Sequence, residues 1–369
     1  LQQVVKGIIR GFKAAKYEAL FFNIGSRVIT ISVFLVSIHF IHRLYGAITA
    51  FIAGVTVTTA AAIWIVGRRI FHDYPRYRRV PVARNLLLFS WPLALTGFTF
   101  LFISKTDKLL LGYFMTSRDV GIYTPTLMIA NLLVFVSTAF KYIFLPTVSE
   151  YFSKNDMRGL EPLFKSTSKW NFAVVLPAFL LILTFPKEIL TILYGSSYTG
   201  GHIALIVLSL GISMNDFAGT SSNILVAGGH TKLNLACEAI AAIVNVVLNI
   251  ILIPLYGIVG AAIGTGVSFL ARNISSLLFV YGKYGMHPYK KNYLNFFFSG
   301  LAGIGIVYFL KSVSPVSWWI TLFVLGAVFL GIYFLFSLVS RGFDANDRVV
   351  LEAVERRLKI DLRFMKRFI

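Results

Sequence analysis

Ten stretches of about twenty mostly apolar residues constrain this chain more than any other feature. They run over residues 20–41, 46–66, 86–112, 121–147, 171–194, 202–227, 233–254, 258–281, 294–311 and 317–340. About 20 apolar residues let a helix cross a hydrocarbon layer about 30 Å thick, whereas a barrel strand needs only about 10, in alternation. Lipid offers no partner to a backbone N–H or C=O, so a spanning segment must satisfy its own hydrogen bonds. With 57% hydrophobic and 14% charged residues and a mean hydropathy of +0.77, the chain has more apolar surface than one core can hide. A soluble domain carries about 25% charged residues. The expected fold class is therefore all-α, a polytopic helical membrane protein of about ten spans.

Charge is distributed by loop. Residues 1–19, 67–85, 148–170, 228–232, 282–293 and 341–369 hold 26 of the 35 Lys and Arg, against Arg43, Arg118, Lys187 and Lys311 in the alternate loops and span ends. This alternation is the positive-inside pattern, which places the basic loops and both termini in the cytoplasm. It also explains the net charge of +20 without nucleic acid, whose recognition calls for a contiguous basic face. Trp64, Trp91, Trp170, Trp318 and Trp319 stand near span ends, where indole rings anchor at the interface. In the tail 344–369, Leu351, Val354, Leu358, Leu362, Met365 and Ile369 recur at helical spacing among seven Lys and Arg. They predict an amphipathic helix lying in the cytoplasmic headgroup layer.

Eight charges stay inside spans: Arg27, Lys105, Lys108, Lys141 and Arg272, with Asp107, Asp216 and Glu238. A charge at the bilayer centre costs roughly 2.5–3.5 kcal/mol even on the lenient insertion scale, so such residues turn to a bundle interior or a wet cavity. Five bases against three acids make that interior net positive and suited to an anionic headgroup. Arg27, Lys105, Asp107, Lys108, Lys141 and Arg272 are the substrate-binding candidates, and Asp216 and Glu238 the candidates for coupling to protons or sodium. Snorkelling of Arg27, Lys105 and Lys108 to the interface is the competing reading. Asn245 and Asn249 share a helix face, as interhelical hydrogen bonding requires.

No soluble-enzyme constellation is present. The six histidines are scattered without carboxylate partners, there is no phosphate-binding Gly-rich Lys-Ser/Thr loop, and the single Cys237 cannot form an internal disulfide. No cofactor, metal or catalytic residue is expected, and no enzyme activity. A membrane glycosyltransferase would need a large external loop or paired acids, which the outward loops lack.

Four segments carry a resemblance. Residues 104–124 (SKTDKLLLGYFMTSRDVGIYT), 145–150 (LPTVSE), 186–198 (PKEILTILYGSSY) and 245–262 (NVVLNIILIPLYGIVGAA) resemble the polysaccharide-exporting branch of the multidrug, oligosaccharidyl-lipid and polysaccharide flippase superfamily. The resemblance implies a two-lobed exporter fold and a flippase working by alternating access. Its substrate would be a polyprenyl-(pyro)phosphate-linked oligosaccharide, with membrane lipids and other polysaccharide assembly proteins as further partners. It implies a multi-pass protein of the cytoplasmic membrane. Family members have more spans at the start, so part of the first lobe is expected to be missing. The expected division is 1–84, a remnant of the first lobe; 85–281, a second lobe of six spans; 282–340, two extra spans; and 341–369, the cytoplasmic helix. A drug antiporter of the same superfamily and a non-transporting scaffold subunit are the alternatives.

Overall fold

The computed structural model describes residues 19–39, 43–65, 83–217, 220–290, 292–313 and 321–339, with Val5, Ile9 and Arg68 beside them. The tail helix expected over 344–369, residues 69–82 of the basic loop 67–85, and Trp318 and Trp319 lie outside the described residues. The chain divides into two compact units, Leu1–Ala83 and Arg84–Ile369.

In the first unit a wide helical turn, Ala19–Gly25, leads into α1 (Ser26–Ser37), which packs against α2 (Arg43–Ile65). Small residues let the two backbones approach. A Cβ at Gly54 would fall against the Thr30 side chain and 3.0 Å from the Ser26 carbonyl oxygen. The Ser37 hydroxyl donates to the Gly46 carbonyl at 3.2 Å. Trp64 stands exposed near the end of α2, with the Arg68 guanidinium 4.7 Å above its ring.

The second unit holds α3 (Ala83–Phe114), α4 (Ser117–Ser153), α5 (Met157–Thr184), α6 (Pro186–Tyr194), α7 (His202–Phe217), α8 (Ser221–Ala227), α9 (Thr231–Tyr256), α10 (Ile258–Tyr284), α11 (Tyr293–Val313) and α12 (Gly326–Val339). Among the described residues, seven helices are long and apolar enough to cross a membrane by themselves. The other expected spans differ for identifiable reasons. Helices α3 and α4, with 32 and 37 residues, reach about 48 and 55 Å, more than the bilayer, and carry polar residues into it. The apolar part of the last span, Phe323–Ser337, is short.

Two spans read as continuous are broken. Residues 171–194 form α5 and α6, because Pro186 lacks an N–H and disfavours helical backbone at the preceding residue. Phe185 adopts φ −127°, ψ 43° there. Residues 202–227 form α7 and α8. The loop expected over 148–170 is instead mostly helix: α4 continues to Ser153 and α5 begins after Asp156, whose carboxylate caps Gly159 N–H at 2.9 Å. Helix α4 starts at a capping box in which Thr116 and Asp119 satisfy each other's backbone. Gly257, at φ 57° and ψ −130°, is the one residue between α9 and α10. A side chain would be strained there, and the resulting hairpin is tight.

Packing separates the two ends of this unit. Leu111, Tyr123, Leu190, Ala204, Ile253 and Ala261 belong to one buried cluster, at the end with few basic residues (Arg118, Lys187). Phe144, Val148, Leu160, Phe164, Ile224 and Val280 form the other, at the end carrying Lys154, Arg158, Lys232 and Lys283. Helix α7 lies between α4, α5 and α10. The pair α11–α12 docks on α5, where the Tyr333 hydroxyl donates to the Ala173 carbonyl at 2.8 Å. At the α7–α10 crossing a Cβ on Gly211 would coincide with the Gly266 backbone. Helices in lipid associate by such close packing rather than by escape from water. Gly211→Leu is therefore expected to lower stability by roughly 3 kcal/mol, measured by thermal unfolding in detergent. Gly305→Leu, with open space around its Cβ, should stay within about 0.5 kcal/mol of the parent.

Candidate functional site: two polar clusters inside the membrane

Asp107 sits in the last third of α3 and is 1% exposed. A carboxylate so placed needs hydrogen-bond donors, and three neighbouring helices supply four. Its Oδ1 accepts the amide N–H groups of Asn245 at 3.1 Å and Asn249 at 2.8 Å, both from α9. Its Oδ2 accepts the Tyr123 hydroxyl of α4 at 3.0 Å and the Thr265 hydroxyl of α10 at 2.5 Å. The four-residue spacing of Asn245 and Asn249 puts both amides on one face of α9. Gly264 leaves room for them: a Cβ there would lie 2.6 Å from Asn249 Oδ1. That Oδ1 has no hydrogen-bond partner among the described residues. All four donors are neutral, so Asp107 is held by dipoles rather than by a cation.

The second cluster forms around Asn215 and Asp216 of α7. Side-chain amides reach two backbone carbonyls of α7. Asn273 of α10 donates to the Asn215 carbonyl, and Asn171 of α5 to the Asp216 carbonyl at 3.3 Å. The Asn273 amide also donates to Asn215 Oδ1 at 2.7 Å, and Arg272 Nη2 to the same oxygen at 2.8 Å. Arg272 also pairs with Glu238 of α9, Nη1 to Oε1 at 3.4 Å, and its Cζ lies 5.4 Å from the centre of the Phe269 ring. Ser137 of α4 donates to Asp216 Oδ2 at 2.5 Å. Glu238 Oε2 is buried with no hydrogen-bond partner among the described residues.

The family described as polysaccharide biosynthesis protein matches residues 11–201, a little over half of the chain. The chain belongs to this family. The matched stretch holds Asp107 and Tyr123, whereas Asn215, Glu238, Arg272 and Asn273 lie beyond it. Among relatives, the probable low-salt glycan biosynthesis flippase Agl15 of Haloferax volcanii is 28% identical over 62% of this chain and 47% of its own length. The uncharacterized membrane protein MJ1068 of Methanocaldococcus jannaschii is 28% identical over 89% of this chain and 66% of its own. The chain thus spans about half to two thirds of the relatives it matches. A solved structure, the lipid II flippase MurJ in an inward closed conformation, superposes with a TM-score of 0.63 at 17% identity. The match covers 88% of this chain and 67% of that one. At that identity the likeness is one of fold, and it agrees with a multi-pass helical membrane protein.

Within this family member the eight in-span charges scatter. Arg272, Glu238 and Asp216 meet in the second cluster, and Asp107 occupies the first. Lys105 is exposed and Lys108 half-buried one turn further along α3, with no ion-pair partner for either among the described residues. Arg27 is exposed on α1, in the first unit. The Lys141 side chain lies outside the described residues. One charge escaped the sequence reading: Lys169, assigned to a basic loop, is fully buried in α5. The neutral partners Ser137, Asn171, Asn215, Thr265 and Asn273 escaped as well, since a hydroxyl or amide in a span is common enough to attract no notice.

Proposed function

We propose that this protein translocates a lipid-linked oligosaccharide across the cell membrane by alternating access, with its charge-rich loops and both termini facing the cytoplasm. The observation that supports this best is the charge arrangement on α3. The helix carries Lys105, exposed, and Lys108, half-buried, one turn apart, while Asp107 between them turns inward and is satisfied. A lysine pair inside an apolar span suits a phosphate or pyrophosphate carried by a lipid, because at an effective dielectric near 20 one close opposite-charge pair contributes about 4 kcal/mol of raw attraction. Arg272 is already engaged by Glu238 and Asn215, so Lys105 and Lys108 take the headgroup. The naming of Agl15 as a glycan biosynthesis flippase supports the same reading.

Glu238 is the coupling group in this scheme, since one of its oxygens lies buried without a partner. Asp216, held by Ser137, is the second candidate. Outward movement of one negative charge across 100 mV, inside negative, releases about 2.3 kcal/mol, so potential alone drives part of the cycle. The test is headgroup translocation in proteoliposomes of a fluorescent polyprenyl-pyrophosphate sugar, with and without an imposed potential. Flipping should be protein-dependent and faster with potential, and Lys105→Gln/Lys108→Gln should slow it about tenfold, the effect of losing about 1.4 kcal/mol. A folded protein that flips no lipid-linked sugar would return the choice to a small-molecule exporter or a scaffold.

A further inference from the structure

At the charge-poor end of the second unit, the segments 104–124 and 186–198 meet although they lie far apart in sequence. Between them is an open groove of about 440 Å³. One wall is α4, with Ser117, Gly121, Thr124 and Met128. The other is Tyr194 and Tyr198, whose ring centroids are 5.9 Å apart at 54°. Gly195 sits between the two tyrosines at φ 97°, backbone that favours glycine, and the turn it makes brings Tyr198 back beside Tyr194. Gly121 is different. Its φ is ordinary, and a Cβ there would meet nothing within 4 Å. A glycine inside a helix costs about 1 kcal/mol relative to alanine. Since neither packing nor backbone requires it here, what it contributes is room on the groove floor.

No lining residue is charged, which leaves the groove unsuited to a phosphate. Its chemistry is two aromatic faces beside hydroxyls. The Tyr194 hydroxyl has only a weak bond to Met128 Sδ at 3.8 Å, and the Thr124 hydroxyl donates to the Val120 carbonyl at 2.8 Å but keeps its lone pairs. A pyranose ring presents the complementary surface, an apolar C–H face and a rim of hydroxyls. Ligand sites of about 300–1,000 Å³ typically combine apolar walls with a few such polar groups. We propose that this groove binds one saccharide ring of the translocated glycan, as a subsite distinct from the lysine pair that holds the headgroup. The assignment rests on the flippase reading above.

The test measures equilibrium binding to the full chain in nanodiscs with two probes, a polyprenyl-phosphate-linked hexose and the same polyprenyl phosphate without sugar. Gly121→Leu, which fills the floor, and the pair Tyr194→Ala/Tyr198→Ala should each weaken the sugar-bearing lipid about tenfold and leave the sugarless one unchanged. Tyr194→Phe/Tyr198→Phe, which keeps the rings, should fall between parent and alanine pair, and it controls for folding. Equal weakening of both probes would mean that the groove holds the lipid chain, and the proposal is then wrong. Unchanged binding of both by Gly121→Leu, in a protein that still flips the sugar lipid, overturns the groove assignment alone. A parent protein that neither binds nor flips the sugar lipid overturns the groove and the flippase reading together.

Discussion

Asp107→Ala is expected to lower the stability of the second unit by roughly 3 kcal/mol. The alanine strands four buried donors from three helices: Tyr123, Asn245, Asn249 and Thr265. Each orphaned group costs about 1–3 kcal/mol in a dry interior. Relief from burying a carboxylate offsets part of that sum, and the donors can re-pair among themselves, as Asn249 already does with Asn245 at 3.1 Å. Asp107→Asn separates shape from charge. Its Oδ1 keeps the two amide donors, and the hydroxyls of Tyr123 and Thr265 can turn to accept from its Nδ2, so the loss should be about 1 kcal/mol. Thermal unfolding of both variants in detergent measures the difference. Equal destabilisation would show that the charge, not the number of acceptors, holds the four helices together.

The second expected result concerns Arg272 and Glu238. Arg272→Gln leaves the Glu238 carboxylate buried without its cation, and one of its oxygens already has no partner. Removing one member of a buried pair costs about 3–5 kcal/mol, whereas removing both together is often close to neutral. The double variant Arg272→Gln/Glu238→Gln should therefore be more stable than Arg272→Gln alone. The two side chains are 18% and 8% exposed, so water screens the pair in part and the rescue should be about 1–2 kcal/mol. The same variants report on transport. If Glu238 couples the cycle to protons, Glu238→Gln flips at a rate that no longer depends on an imposed proton gradient, although it remains folded. A gradient-dependent Glu238→Gln protein would assign coupling elsewhere, with Asp216 next to be tested.

Much of this architecture is legible in the chain before any coordinates. Apolar run length settles the helical class, and the split of Lys and Arg between alternate loops agrees with the charge-rich and charge-poor ends of the second unit. Asp107, Asp216, Glu238 and Arg272 stand out because a charge in a span must be explained. What they pair with is not legible. The donors to Asp107 come from positions 123, 245, 249 and 265, and no local rule connects them. Asn245 and Asn249 were placed on one face by spacing, and they do bond across to another helix, but nothing in their spacing names α3 as the target. Lys169 was misplaced for a related reason. Charge alone puts the start of the span where charges cease, whereas α5 begins after the Asp156 cap and carries Lys165 and Lys169 along its first turns. The break at Phe185 was masked by an apolar run that continues through it, and Pro186 is its visible trace.

The tight hairpin at Gly257 has a consequence for how the two clusters communicate. Helix α9 contributes Asn245 and Asn249 to one and Glu238 to the other, while α10 contributes Thr265 to the first and Arg272 and Asn273 to the second. With one residue between them, these helices have little freedom to slide past each other. Any ligand or protonation event that shifts the hairpin at one cluster must do work at the other. Free-energy linkage makes that work symmetric: in the proposed cycle, whatever factor headgroup binding at the lysine pair applies to ion binding at the second cluster, ion binding there applies to headgroup affinity.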